Sequence, residues 1–340
     1  MKALVKHSKT QSGVSLMEID TPRPKQDELL VKIMAAGICG TDLHIIQDEY
    51  PCKMPVVLGH EFTGIIEEIG KEVEGYKIGD QIIASTAAKT CGSCSYCKQG
   101  LRMLCKDRLS IGSGLNGAMA EYMVIPAQLA YKIPEREKGK IEIALAEPMA
   151  CVVRAVIEES HIRAGDIVIV SGPGTIGILT MLFAKHAGAY VIVNGLESDS
   201  ERLDLATAMG ADLTCSNEGN LRKAVSLYAP DGVDVAFECS GYSNSYALCL
   251  EYVKKRGNLA QVGLFGKPIC IDMDKHLCKE VKLTVSYASE PTSWDTLIKI
   301  LSQHDLSYEP LISDVYKLEE WEQAFDKFKK KQGFKILLKP

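Results

Sequence analysis

The chain has 340 residues, 46% hydrophobic and 24% charged, a globular balance that excludes disordered and fibrous classes and is too long for one typical core, so two domains are expected. A formal net charge of −5 argues against a nucleic-acid or anionic-membrane surface, which needs a basic face. No apolar run approaches the roughly 18 residues of a membrane span, and residues 1–7 break into charge too early for a secretory leader. The expectation is a cytoplasmic protein acting on small molecules.

Residues 1–148 are dense in Gly and Pro and carry short β-rich runs, such as 29–34 and 62–69, which predicts an irregular, barrel-like β domain. Within it stand Cys39 and, further on, Gly59-His60-Glu61, with Glu147 just before Pro148 where the domain should end. Thiolate, imidazole and carboxylate form a mixed donor set that can leave a coordination position open, the mark of a catalytic metal site. A second group, Cys91, Cys94, Cys97 and Cys105, places four thiolates within fifteen residues, with Gly92 and Gly100 to ease the turns. That set predicts a closed, structural zinc site. An iron–sulfur run would place the fourth Cys three residues after the third and follow it with Pro, whereas Lys106 follows Cys105 here. The remaining seven cysteines (Cys52, Cys151, Cys215, Cys239, Cys249, Cys270 and Cys278) contain no C-x-x-C pair and are expected as buried thiols.

From Asp166 strands alternate with amphipathic helices: a strand at 167–170, a helix at 176–186, a strand at 191–193 and a helix at 200–209. Further apolar runs at 233–237, 259–262 and 281–285 bring the count to five or six parallel strands over residues 149–286, a doubly wound sheet. Between the first strand and helix lies Gly172-Pro173-Gly174-Thr175-Ile176-Gly177, a place where helix N-terminal amides can hold a pyrophosphate and side chains would obstruct it. Glu197, twenty residues after Gly177, is expected at the end of the second strand, accepting hydrogen bonds from the adenosine ribose, so NAD is favoured over NADP. Arg202, one to two turns into the next helix, is the residue that could meet a 2′-phosphate. Residues 287–340, with helices at 294–303 and 319–330 and a strand at 334–339, are expected to return to the first domain, and the basic run 327–331 reads as a solvated helix face.

These motifs together carry a resemblance. Cys39-Gly-Thr-Asp-Leu-His44, Gly59-His-Glu-Phe-Thr-Gly64, Gly79-Asp80, the four-Cys lobe and the Gly172–Gly177 turn are similar to the zinc-dependent medium-chain alcohol dehydrogenases nearly end to end. Gly-His-Glu with a later Glu147-Pro148 is nearer to the sorbitol and threonine dehydrogenase branch. The resemblance implies a GroES-like β-barrel catalytic domain beside a Rossmann domain, an α/β protein that forms a homodimer or homotetramer. It implies catalytic zinc among Cys39, His60 and Glu61, with Glu147 a direct or water-mediated ligand, and it places Thr41 and His44 in a proton relay. The segments Glu238-Cys239-Ser240-Gly241 and Val262-Gly263-Leu264-Phe265-Gly266 then line the nicotinamide side of the cleft.

Two departures bear on the substrate. Arg154 stands where polyol-oxidising relatives often carry His, and Tyr287-Ala-Ser-Glu290 replaces a Phe-Arg-Tyr-like stretch of animal sorbitol dehydrogenases. An extra residue near Asp199 also leaves the position of Glu197 open by one place. The expected activity is reversible, zinc-dependent oxidation of a secondary alcohol to a ketone with NAD, the substrate being a polyol or sugar alcohol, free or phosphorylated. The alternatives are a 3-hydroxy amino acid dehydrogenase of the threonine type and, from another class, a zinc- and NAD-binding sensor without turnover.

Overall fold

A computed structural model describes residues 1–10 and 13–340. The chain divides into two compact units, 1–147 with 290–305 and 311–340, and 148–289 with 306–310.

The first unit is built on strand Glu28–Gly37, whose alternate residues Leu29, Val31 and Ile33 are buried against Phe62, Ile66, Ile82 and Ile125. It pairs antiparallel with strand Glu61–Ile69, and the register sets Gly37 opposite Glu61. On its other side runs the C-terminal strand Lys335–Lys339, with Leu337 opposite Gly37. That register places Leu337 of the terminal strand and Glu61, at the start of strand Glu61–Ile69, on either side of Gly37. The sheet reaches seven strands, and strands Lys2–Lys6, Val14–Glu18 and Val56–Val57 form a second, three-stranded one. Strand Ile312–Lys317, parallel to the terminal strand, is not among the expected elements: its alternating i-e burial leaves a weak apolar signal, Ile-Ser-Asp-Val-Tyr-Lys. The helix expected at 294–303 begins earlier, as Pro291–Gln303, because Glu290 caps it and Pro291 fits the first turn, where no amide is needed.

The second unit is a Rossmann-type α/β layer. Its six strands are all parallel, in the order Leu213–Cys215, Tyr190–Asn194, Ile167–Ser171, Val233–Glu238, Val253–Gln261, Lys282–Val285. Runs such as Val168-Ile-Val and Val191-Ile-Val are buried throughout, as strands covered on both faces require. The order reverses direction between strands Ile167–Ser171 and Val233–Glu238. A crevice at the carboxyl ends of such a pair is where doubly wound sheets bind their ligands. The chain enters this unit at Pro148, and residues 287–289 and 306–310 group with it rather than with the returning tail. Among the seven scattered cysteines, expected to be buried, only Cys215 and Cys249 are; Cys52, Cys151 and Cys239 are half-buried, and Cys270 and Cys278 are exposed, beside and on the short helix Met273–Lys279.

Candidate active site

Cys39 leaves strand Glu28–Gly37 in an extended conformation and caps helix Gly40–Ile46, while His60 immediately precedes and Glu61 opens the neighbouring strand. The sheet register therefore converges residues distant in sequence: Cys39 Sγ, a His60 ring nitrogen and a Glu61 carboxylate oxygen all lie within 4.8 Å of one another. Asp42, fully buried, ties them in place. Its carboxylate accepts the amide of Cys39 at 2.9 Å and that of Gly59 at 3.2 Å, and lies 3.6 Å from His60 Nδ1. Burial pushes the His60 imidazolium towards lower pKa, but Asp42 and Cys39 outweigh it and hold the pKa well above 6.5. An electrostatic environment that favours a proton there also favours a divalent cation, and one thiolate, one imidazole and one carboxylate suit zinc.

Glu61 has a further partner. Its carboxylate forms an ion pair with the ammonium of Lys335, which also donates to the Ile38 carbonyl at 3.0 Å, and both side chains are almost wholly buried. Burial alone would lower the Lys335 pKa; Glu61, Cys39 and Asp42 reverse the sign and raise it. Glu147 opens helix Ala146–Val153, half-buried, and is not one of the three side chains that converge. Thr41, in the first turn of the Cys39-capped helix, has its hydroxyl 3.8 Å from Cys39 Sγ. His44 is exposed on the last turn, its Nδ1 2.6 Å from Glu49.

The four cysteines of the lobe also come together, their sulfurs within 4.8 Å. Local backbone makes this site: the amides of Cys94, Cys91 and Cys97 point at the sulfurs of Cys91, Cys105 and Cys94, at 3.3, 3.4 and 3.4 Å. Amide donors from Ser93 and Cys94 bring the Cys91 thiol down from 9.0 to about 6, so it is thiolate, the metal-binding form, at neutral pH. Glu290 anchors the lobe by accepting the Arg102 amide at 3.0 Å.

In the second unit Gly172 adopts a left-handed φ of 105°, and a Cβ on Gly177 would lie 1.9 Å from the Gly172 carbonyl, so both turn and helix start demand glycine. Gly174 caps helix Thr175–His186, in which Ile176 accepts the Thr180 hydroxyl. Glu197 is not at the strand end: strand Tyr190–Asn194 stops three residues earlier. Gly195 packs under Pro173, leaving no room for a Cβ, and the chain turns there before Glu197 opens a short 3-10 helix. Glu197 is exposed and accepts from Asn217 Nδ2 at 3.3 Å, whereas Asp199 is committed to the Leu196 amide at 2.9 Å. Arg202 reaches back to the glycine turn, its Nη1 3.8 Å from where a Cβ on Gly174 would be. Cys239 and the Val262-Gly263-Leu264 segment follow adjacent strands on the other side of the crevice. Burial pushes the Cys239 thiol up to about 12, which makes it inert packing rather than a nucleophile. The two departures noted in the sequence meet: Arg154, opening a π-helical turn, donates to the Tyr287 carbonyl at 2.8 Å.

Asp42 and Lys335 were missed by sequence reasoning. Asp42 carries a signal, a carboxylate at the third position after a helix cap, where it can reach back to the cap amide. The only trace of Lys335 is a lysine heading an apolar strand.

Residues 25–135 match the alcohol dehydrogenase GroES-like domain family and residues 175–303 the zinc-binding dehydrogenase family. The chain is 34% identical to a sorbitol dehydrogenase of Halalkalibacterium halodurans, covering 100% of this chain and 99% of that one. It is 33% identical to a D-arabitol-phosphate dehydrogenase of Enterococcus avium, over 99% and 97%, and 34% identical to an L-threonine 3-dehydrogenase of a Marinomonas species, over 99% of each. A Sinorhizobium meliloti protein assigned as a zinc-binding dehydrogenase, solved bound to NADP, superposes with a TM-score of 0.88 at 30% identity, over 100% of this chain and 99% of that one.

Proposed function

The chain belongs to the zinc-dependent medium-chain alcohol dehydrogenases, oxidoreductases that use zinc and a nicotinamide cofactor, and from that premise we propose that it oxidises a secondary alcohol of a polyol or sugar alcohol, free or phosphorylated, to the ketone with NAD. The observation that carries this is the convergence of Cys39, His60 and Glu61 within 4.8 Å. Those three residues would hold the catalytic metal, Glu147 joining directly or through water, and Cys91, Cys94, Cys97 and Cys105 the structural one. Bound there, zinc supplies Lewis acidity towards the substrate hydroxyl while the nicotinamide supplies a hydride acceptor.

The chain's own residues set orientation and move the proton. Asp42 fixes Cys39 and His60 relative to each other, so the donor set needs little reorganisation when loaded. Thr41 Oγ1 takes the substrate hydroxyl proton and His44 passes it outward, its Nδ1 already engaged by Glu49 so that Nε2 is the exchanging nitrogen. The first unit thus carries catalysis and the second the cofactor: Gly172, Pro173, Gly174, Thr175, Ile176 and Gly177 cradle the pyrophosphate, and Cys239, Val262, Gly263 and Leu264 line the nicotinamide side.

For cofactor choice, Glu197 is the exposed carboxylate on the adenosine side, held by Asn217 Nδ2, whereas Asp199 is spent on the Leu196 amide. It accepts ribose hydroxyls and repels a 2′-phosphate, giving NAD a preference of about tenfold or more, roughly 1.4 kcal/mol per decade. Arg202 lies close enough to the turn to serve a phosphate, so comparing kcat/KM for NAD and NADP in wild type, Glu197→Ser and Asp199→Ser decides the matter. Only Glu197→Ser should narrow the ratio; equal use of both cofactors by wild type would remove the assignment.

A homodimer or homotetramer is supported by the edge strand Lys282–Val285, which ends the sheet with Leu283 and Val285 exposed, and by the exposed Met273 and Leu277 of the short helix that precedes it. Cysteines that form no disulfide with one another, Cys270 and Cys278 among them exposed, support a reducing, cytoplasmic setting. Similarity to an L-threonine 3-dehydrogenase keeps a second reading, a 3-hydroxy amino acid substrate. A spectrophotometric screen of polyols, sugar-alcohol phosphates, diols and hydroxy amino acids with both cofactors should give the highest kcat/KM on a polyol or its phosphate. The highest value on threonine selects the second reading, and no turnover at full metal content contradicts both.

A further inference from the structure

Glu238 ends strand Val233–Glu238 at the point where the sheet order reverses, paired in register with Ser171, the residue before the glycine turn. It is fully buried, and among the described residues no lysine or arginine forms an ion pair with it. Four donors surround its carboxylate instead. Oε1 accepts the Ser240 amide at 2.9 Å, the Gly241 amide at 3.1 Å and the Ser240 hydroxyl. Oε2 accepts Gln261 Nε2 at 2.8 Å and shares the Gly241 amide at 3.1 Å. Gln261 in turn donates to the Gly263 carbonyl, and the amides of Val262 and Gly263 both return to the Glu238 carbonyl, at 3.0 and 2.9 Å. Gly263 has no room for a side chain, since a Cβ would lie 2.5 Å from the Gly241 amide and 2.7 Å from Glu238 Oε2.

One carboxylate therefore fastens two loops, 239–241 and 262–264, that follow different strands. We propose that Glu238 is a positioning residue of the dinucleotide crevice, its carboxylate shaping the wall that receives the nicotinamide half of the cofactor; this rests on the dinucleotide reading above. The side follows from topology. The glycine turn takes the pyrophosphate, and the carboxylate after the second strand takes the adenosine ribose, which leaves the opposite side of the switch point, over Glu238 and Gln261, for the nicotinamide. Every partner of the side chain is a donor, so only an acceptor on both oxygens satisfies them all. An amide in its place turns one N–H group against another.

The test separates the two halves of the cofactor. Binding of NADH, read by its fluorescence, is compared with binding of ADP-ribose, which lacks the nicotinamide, in the metal-loaded full chain. Glu238→Gln should weaken NADH about tenfold, as losing one acceptor in a buried network does, and leave ADP-ribose within about twofold. Gln261→Met, which keeps the side-chain volume and cuts only the bridge to the second loop, should weaken NADH about threefold by the same reasoning. If Glu238→Gln does not fold, Gln261→Met decides alone. Equal losses for NADH and ADP-ribose would reduce Glu238 to a merely structural group, and unchanged NADH binding in the variants would overturn the proposal outright. Wild type that binds neither ligand fails differently, removing the dinucleotide reading and this inference with it.

Discussion

The two cysteine-bearing clusters of the first unit solve the same problem by opposite means. Four cysteines gather within fifteen residues, and the chain's own amides at 3.3–3.4 Å hold three of their sulfurs, so the lobe needs little beyond itself and the Glu290 anchor. The Cys39–His60–Glu61 cluster owes nothing to local spacing. Three strands set its geometry, and its charges are balanced by Asp42 on one side and by Lys335, from the last strand of the chain, on the other. A site assembled from afar can hold mixed donors and keep a position for substrate, whereas a site written in one loop closes on itself. On the function proposed above, the first is a place for chemistry and the second a staple.

The strongest way to break that contrast is Cys39→Ser. It removes the only thiolate of the mixed cluster, so turnover should fall by roughly a thousandfold or more, several kcal/mol of lost Lewis-acid stabilisation. Circular dichroism and melting temperature should stay near wild type, and full activity with full metal content would contradict the assignment. Next in size is Lys335→Met, which leaves the Glu61 carboxylate buried without its cation. Breaking such a pair costs about 3–5 kcal/mol, measured as a shift in denaturant midpoint. The loss should be larger in metal-stripped than in zinc-loaded protein, because a bound cation takes over the role of the ammonium; Glu61→Gln in the same chain should restore much of it.

Cys97→Ala should act in the reverse sense. A structural metal contributes its binding energy to folding, so the melting temperature drops by several degrees while the specific activity of the folded fraction persists. An unchanged melting temperature and zinc count would dissolve the distinction. The smallest effect concerns pH. The Cys91 thiol is lowered from 9.0 to about 6 in the folded lobe, so its stabilising contribution in metal-stripped protein is full above about pH 9 and lost as pH falls through about 6. Melting temperature should therefore decline on acidification across that window, and Cys91→Ser should flatten the decline.

How much of this was legible beforehand follows the same divide. The four-Cys lobe and the glycine turn could be read because their geometry is local: sulfur spacing and a strand–Gly–helix junction are written in consecutive residues. The fold class was equally readable, since fully apolar runs alternating with helices leave few topologies open. Lys335 was not, because its role exists only through a sheet register that sets Leu337 against Gly37. Asp42 was half-legible as a capping carboxylate, though not as the residue that ties Cys39 to Gly59. Glu197 was placed at a strand end because spacing was counted without the turn that Gly195 makes under Pro173. The strand Ile312–Lys317 escaped because its residues break the apolar alternation: Asp314 takes a half-buried position and Val315 an exposed one.

The most direct test is to withdraw metal stepwise with a chelator, following NADH formation on the best substrate and the melting temperature of the same samples. The division of labour predicts that activity disappears with the first equivalent, from the Cys39–His60–Glu61 cluster, while the melting temperature falls only with the second, from Cys91, Cys94, Cys97 and Cys105. Activity and melting temperature lost together, or melting temperature lost first, would contradict it.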